Sequence, residues 1–124
     1  MSLQFGRWNF DGQPPTSDYV KKVGAAFALF ASDNNESYSK DGLSILYRAF
    51  RTTKEADSEV QPHSCPSGAV LTWDGRLDNR AELIDELCGV CMANSTDVEI
   101  VAAAYEKWGT KCLRNLIGDW ALSV

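Results

Sequence analysis

The chain has 124 residues, of which 44 % are hydrophobic and 23 % charged, with a formal net charge of −5 at pH 7. That size and balance suit one globular domain with a modest core. No apolar run approaches the ~20 residues of a membrane span, no basic-then-apolar signal segment opens the chain, and clustered Lys and Arg for a phosphate backbone are missing. The expectation is a cytoplasmic protein that binds neither nucleic acid nor membrane.

Residues 3–10 read as a strand that ends at Asp11-Gly12 and Pro14-Pro15. Thr16 or Ser17 can cap a helix over 18–30, where Val20, Val23, Phe27 and Phe30 recur at helical spacing. Asp33 to Ser37 reads as a polar loop. Leu43 to Phe50 reads as a strand with Leu43, Ile45, Tyr47 and Ala49 on one face. Thr52 to Ser67 is loop-like and acidic. The strand 69–74 is expected to break at Asp74-Gly75, a pair suited to positive-φ turns. Asp78 or Asn79 can then cap a helix over 79–88 whose Leu83, Ile84 and Leu87 share a face.

Thr96-Asp97-Val98-Glu99 is a capping-box pattern, with Ile100, Val101, Ala104, Tyr105 and Trp108 as the apolar face behind it. Gly109 breaks that helix, a short helix runs from Cys112 to Leu116, and a strand opens at Asp119. There is no internal repeat, low-complexity tract or linker, so residues 1–124 read as one domain. Strands and helices mix without a strict βαβ rhythm, which favours an α+β fold with antiparallel sheets and flanking helices.

The four cysteines leave alternatives. Cys88-Gly89-Val90-Cys91 is a C-x-x-C, and His63-Ser64-Cys65 lies upstream. His63, Cys65, Cys88 and Cys91 could form a tetrahedral zinc site, giving a zinc-stabilised structural domain. The favoured reading is simpler and needs no metal or other cofactor. Cys88 packs at a helix end, Cys91 sits in a loop, and Cys112 is an inert core thiol beside Leu113 and Leu116.

Four stretches, in order, carry a family resemblance: Phe5-Gly6-Arg7-Trp8-Asn9-Phe10-Asp11-Gly12, Asp74-Gly75-Arg76-Leu77-Asp78-Asn79, Ser95-Thr96-Asp97-Val98-Glu99 and Gly118-Asp119-Trp120-Ala121-Leu122. Together they resemble the glutamine amidotransferase domain that opens asparagine synthetases, a class II member of the N-terminal-nucleophile hydrolases. The resemblance implies part of an αββα sandwich. It also implies that the later strands of that sandwich and the ATP-dependent synthetase domain lie outside this chain. A half-sandwich leaves sheet edge or apolar face uncovered, so a homo-oligomer is expected.

The resemblance assigns roles residue by residue. Ser2 falls at the family's Cys nucleophile, whose own α-amine acts as base, so an attached Met1 would block it. Asp74 replaces the Asn whose side-chain amide, with the Gly75 backbone N–H, binds the oxyanion. An ionised carboxylate accepts hydrogen bonds and cannot donate them. Arg48, with Arg51 as a competing register, would pair with the glutamine α-carboxylate through its planar fork. Asp97 would meet the α-ammonium, or else only complement its helix dipole. The family's His-Arg-Gly-Pro-Asp segment is replaced by the polar run Ser32 to Glu36. These substitutions imply an impaired or inactive amidotransferase, a pseudoenzyme in this form, that still has glutamine as its candidate ligand. A non-catalytic binding or interaction module on the same fold is the alternative.

Overall fold

Alternation of apolar and polar side chains organises the first half of the chain. The computed structural model describes residues 2–30 and 33–124, which fall into two compact units, Met1–Arg51 and Thr52–Val124. In the first unit β1 (Leu3–Trp8), β2 (Asn34–Lys40) and β3 (Leu43–Ala49) form an antiparallel sheet in the order β1-β3-β2. Ile45, Tyr47 and Ala49 are buried, the face that the alternation along β3 predicts. Helix α1 (Ser17–Phe27) follows Thr16 and sets Tyr19 and Phe27 against Phe5, with ring centroids 6.1 and 6.4 Å away. It stops three residues before the expected end, leaving Leu29 and Phe30 exposed.

Strand β2 corrects the expectation of a polar loop over 33–37. Asn34-Asn35-Glu36-Ser37 has little strand propensity of its own, but a tight hairpin binds it to β3 along its whole length. The turn is Asp41-Gly42, with φ of 50° and 81°, the paired positive values of a two-residue hairpin. Gly42 is required there twice over, because a Cβ would lie 2.6 Å from the Asn9 carbonyl oxygen.

The second unit has its own antiparallel sheet, β4 (His63–Ser64), β5 (Val70–Leu77) and β6 (Gly118–Ser123), in the order β4-β5-β6. Helices α2 (Arg80–Glu86) and α3 (Asp97–Trp108) and a 3₁₀ segment over Gly109–Asn115 complete it. Leu71, Trp73, Leu83, Leu87, Val98, Ile100, Val101 and Cys112 form a buried core. Trp73 stacks on Trp120 with centroids 5.5 Å apart. The capping box of α3 is complete: the Glu99 N–H donates to the Thr96 hydroxyl and the Thr96 N–H to the Glu99 carboxylate.

Two further expectations are corrected. The segment 52–67 is not all loop, since it holds a 3₁₀ turn (Glu55–Ser58) and β4. More consequentially, β5 does not break at Asp74-Gly75 but runs through to Leu77, with Asp74 opposite Ala121 and Gly75 opposite Trp120. The pairing partner lies some forty residues downstream, so no local pattern announces it. Gly75 keeps an unusual backbone, φ 150°, and β6 approaches so closely that a Cβ would lie 2.4 Å from the Asp119 carbonyl oxygen. Both units are thus mixtures of antiparallel sheet and helix, as an α+β fold requires. Among the described residues, no helix is long and apolar enough to cross a membrane.

Candidate functional site: an open backbone donor on the edge of strand β5

Backbone groups along an antiparallel strand point alternately to its two edges. On one edge β5 faces β6, and beyond its end the Asp78 N–H donates to the Ile117 carbonyl at 2.8 Å. The odd-numbered residues face the other edge. There Leu71 lies opposite His63 of β4, so the ladder takes care of the first positions.

At Trp73 a side chain replaces the neighbouring strand. The Trp73 N–H donates to Gln61 Oε1 at 2.5 Å, and Gln61 Nε2 donates back to the Trp73 carbonyl at 2.8 Å. Gln61 is only 2 % exposed, so this amide acts as one buried peptide unit of a missing strand. At Leu77 the N–H donates to Asp97 Oδ2 at 3.0 Å. Between these two sealed positions lies Gly75, whose N–H faces the same edge by alternation and has no partner among the described residues. A lone backbone donor held between two fixed neighbours is suited to receive the oxygen of a small ligand.

The side chains around this donor are acidic and basic in turn. Asp74, half-buried, precedes Gly75 on the strand. Arg76 and Asp78 form an exposed ion pair at 2.7 Å. Asp97, 5 % exposed, receives Arg80 Nη1 on its Oδ1, while Arg80 Nη2 donates to the Ser95 carbonyl at 2.6 Å. Asn79 stands at the N-terminus of α2 as expected, but it does not cap that helix with its side chain. Its amide instead donates to the Asn115 carbonyl at 2.9 Å and accepts from the Ile117 N–H at 3.1 Å. That pins the start of α2 to the start of β6.

The residues with expected roles therefore divide between the units. Asp74, Gly75 and Asp97 belong to the second, where Asp97 accepts the Leu77 N–H two residues beyond Gly75. Ser2 and Arg48 belong to the first. The Ser2 hydroxyl accepts the Phe50 N–H at 3.1 Å. Arg48 donates to Asn35 Oδ1 at 2.5 Å and to the Gly24 carbonyl at 3.3 Å, so its guanidinium ties β3 to β2 and α1. The backbone N–H of Arg51 donates to Asp33 at 2.7 Å. Met1 and Ser32, which also entered the sequence reading, lie outside the described residues. The sequence reading missed Gln61 and Arg80. Neither carries a motif, because each acts on a partner twelve or more residues away.

The cysteines and His63 were the other candidates. His63, Cys65, Cys88 and Cys91 all line one cavity of about 670 Å³ beside α3. Yet among the described residues no three of the His, Cys, Asp and Glu side chains are placed to hold a metal ion. Cys65 and Cys91 are buried and Cys88 is exposed. Burial pushes the Cys65 thiol up, with the nearby Glu106 carboxylate adding to it, and burial with Glu99 does the same for Cys91. Cys112 is fully buried and raised by burial alone among the raising causes. Such thiols stay protonated and unreactive at neutral pH.

Antiparallel sheets with packed helices define a protein of the α+β class. Residues 47–124 match the glutamine amidotransferase domain, and the chain belongs to that family. Proteins of Mycobacterium bovis (strain ATCC BAA-935 / AF2122/97) and Mycobacterium tuberculosis (strain ATCC 25618 / H37Rv) that carry the name asparagine synthetase (glutamine-hydrolysing) are 36 % identical to it over 66 residues. That alignment takes in 51 % of this chain and only 10 % of each relative.

Proposed function

We propose that this chain is a glutamine amidotransferase domain that holds a small carboxamide ligand at Gly75 and is impaired in hydrolysing it in this form. The observation that carries the reading is the neighbourhood of the open Gly75 N–H, where Asp74 stands in place of an amide donor. A carboxamide oxygen can accept from Gly75, and during hydrolysis that oxygen would gain negative charge. A carboxylate beside it offers only acceptors and repels the charge. Loss of one such donor typically costs about 2.7–4 kcal/mol in barrier, and a charge of the wrong sign costs more. Ser2 at the nucleophile position is a second deficit, since a hydroxyl without an adjacent base is a weak attacking group. Any ammonia released would serve an asparagine synthetase activity of the kind the relatives' names state.

The test is ammonia release from glutamine by the unmodified chain, beside a Ser2→Cys/Asp74→Asn double variant freed of Met1. Hydrolysis by the double variant alone supports the reading. Turnover by the unmodified chain at a comparable rate refutes it.

A further inference from the structure

The carboxylate of Asp97 is already occupied. It is 5 % exposed, one oxygen accepts the Leu77 N–H at 3.0 Å, and the other accepts Arg80 Nη1. The Arg80 side chain is 20 % exposed against 7 % for Asp97, so solvent and anything dissolved in it reach the guanidinium more readily than the carboxylate. It is held a second time, because Nη2 donates to the Ser95 carbonyl at 2.6 Å. A guanidinium keeps its charge at any working pH and has five N–H donors, of which these contacts use two.

A ligand ammonium would therefore meet a buried carboxylate whose charge is already neutralised and whose two oxygens are both taken. To reach Asp97 it would have to displace a cation that is tethered to the fold and bound in a partly buried place, where such bonds are strong. A neutral or anionic group meets no such barrier, and the remaining Arg80 donors favour it.

We infer that Arg80 is a specificity residue that denies Asp97 to an α-ammonium, so that this site takes carboxamide acids lacking an α-amino group in preference to glutamine. The inference rests on the proposed ligand role of the Gly75 edge and specifies its substrate class. Arg80 acts here through Asp97 as a positioning residue and by its own charge.

The experiment compares two ligands that differ in one group, glutamine and 5-amino-5-oxopentanoate. Each is titrated into the full chain, followed by calorimetry and by saturation-transfer NMR. The unmodified chain is expected to bind the des-amino acid at least as tightly as glutamine. In Arg80→Gln, which keeps an N–H donor but loses the charge, the ratio should move toward glutamine by about ten-fold, the scale of one charge-assisted bond. Arg80→Lys should keep the original preference. A glutamine preference of about ten-fold or more in the unmodified chain overturns the inference without needing any variant to fold, and leaves the ligand role of the site standing. An unchanged ratio in a folded Arg80→Gln protein also overturns it. Binding of neither ligand by the unmodified chain or by Arg80→Gln defeats both the inference and the ligand reading.

Discussion

Replacing Gly75 by Ala tests whether the course of β5 past Asp74 is as described. The substitution adds one methyl group, and two costs follow from where it lands. The backbone sits at φ 150°, which an L side chain rarely adopts, and holding it there costs about 1–3 kcal/mol. The methyl carbon would also lie 2.4 Å from the Asp119 carbonyl oxygen and 2.6 Å from the Trp120 Cα, both backbone atoms of a paired strand. Relief requires β6 to move, which adds about 1–3 kcal/mol, the usual penalty of overpacking. The expected loss is about 2–6 kcal/mol, a large share of a small domain's stability. Urea unfolding followed by tryptophan emission measures it, because the Trp73–Trp120 stack reports on these two strands. Gly24→Ala is the control. It lies inside α1 with nothing within 4 Å of a new Cβ, and should gain about 0.5–1 kcal/mol. If Gly75→Ala falls within about 1 kcal/mol of the parent, β5 does not pair with β6 at this position and the account of the open donor fails with it.

Gln61→Leu should cost about 2–6 kcal/mol, since it strands a buried N–H and a buried carbonyl of Trp73 at about 1–3 kcal/mol each; a change below 1 kcal/mol in urea titration would show that the Gln61 amide does not serve as a peptide unit. The raised thiols of Cys65, Cys91 and Cys112 give a pH dependence of definite sign. Folding favours the neutral thiol, so this contribution is fully present below the unfolded thiol pKa near 8.5 and is lost as pH rises through the higher folded values. The urea midpoint should fall above about pH 9, less steeply in Cys112→Ala, and a midpoint that holds or rises up to pH 10 would contradict it. At pH 8 iodoacetamide should alkylate the exposed Cys88 well before the other three, as read by mass spectrometry of digested protein. Equal labelling of all four would show the buried assignments to be wrong.

What the sequence disclosed was local. Thr96 and Glu99 spell a capping box in four residues, and the helix behind them follows. The alternation from Leu43 to Ala49 marks a strand with one buried face. The four family-like stretches include three that fall within the matched residues 47–124. What the sequence hid depends on partners distant along the chain. Polar Asn34 to Ser37 becomes strand only because β3 offers its edge after the Asp41-Gly42 turn. Asp74-Gly75 looks like a turn until β6 arrives to pair with it. Asp97 is legible as a first-turn acid, but the cation that holds it is Arg80, seventeen positions away. Spacing within a motif cannot report such a contact.

Gln61 has a consequence for how this fold tolerates change. A pairing strand imposes its register through many consecutive residues, so an insertion within it shifts everything beyond. One amide reaches back only as far as Glu59, whose carboxylate accepts from Gln61 Nε2. The stretch from Thr52 to Ser58 can then gain or lose residues without dragging Trp73 out of place, and length variants in that stretch should keep the strand edge near Gly75 intact.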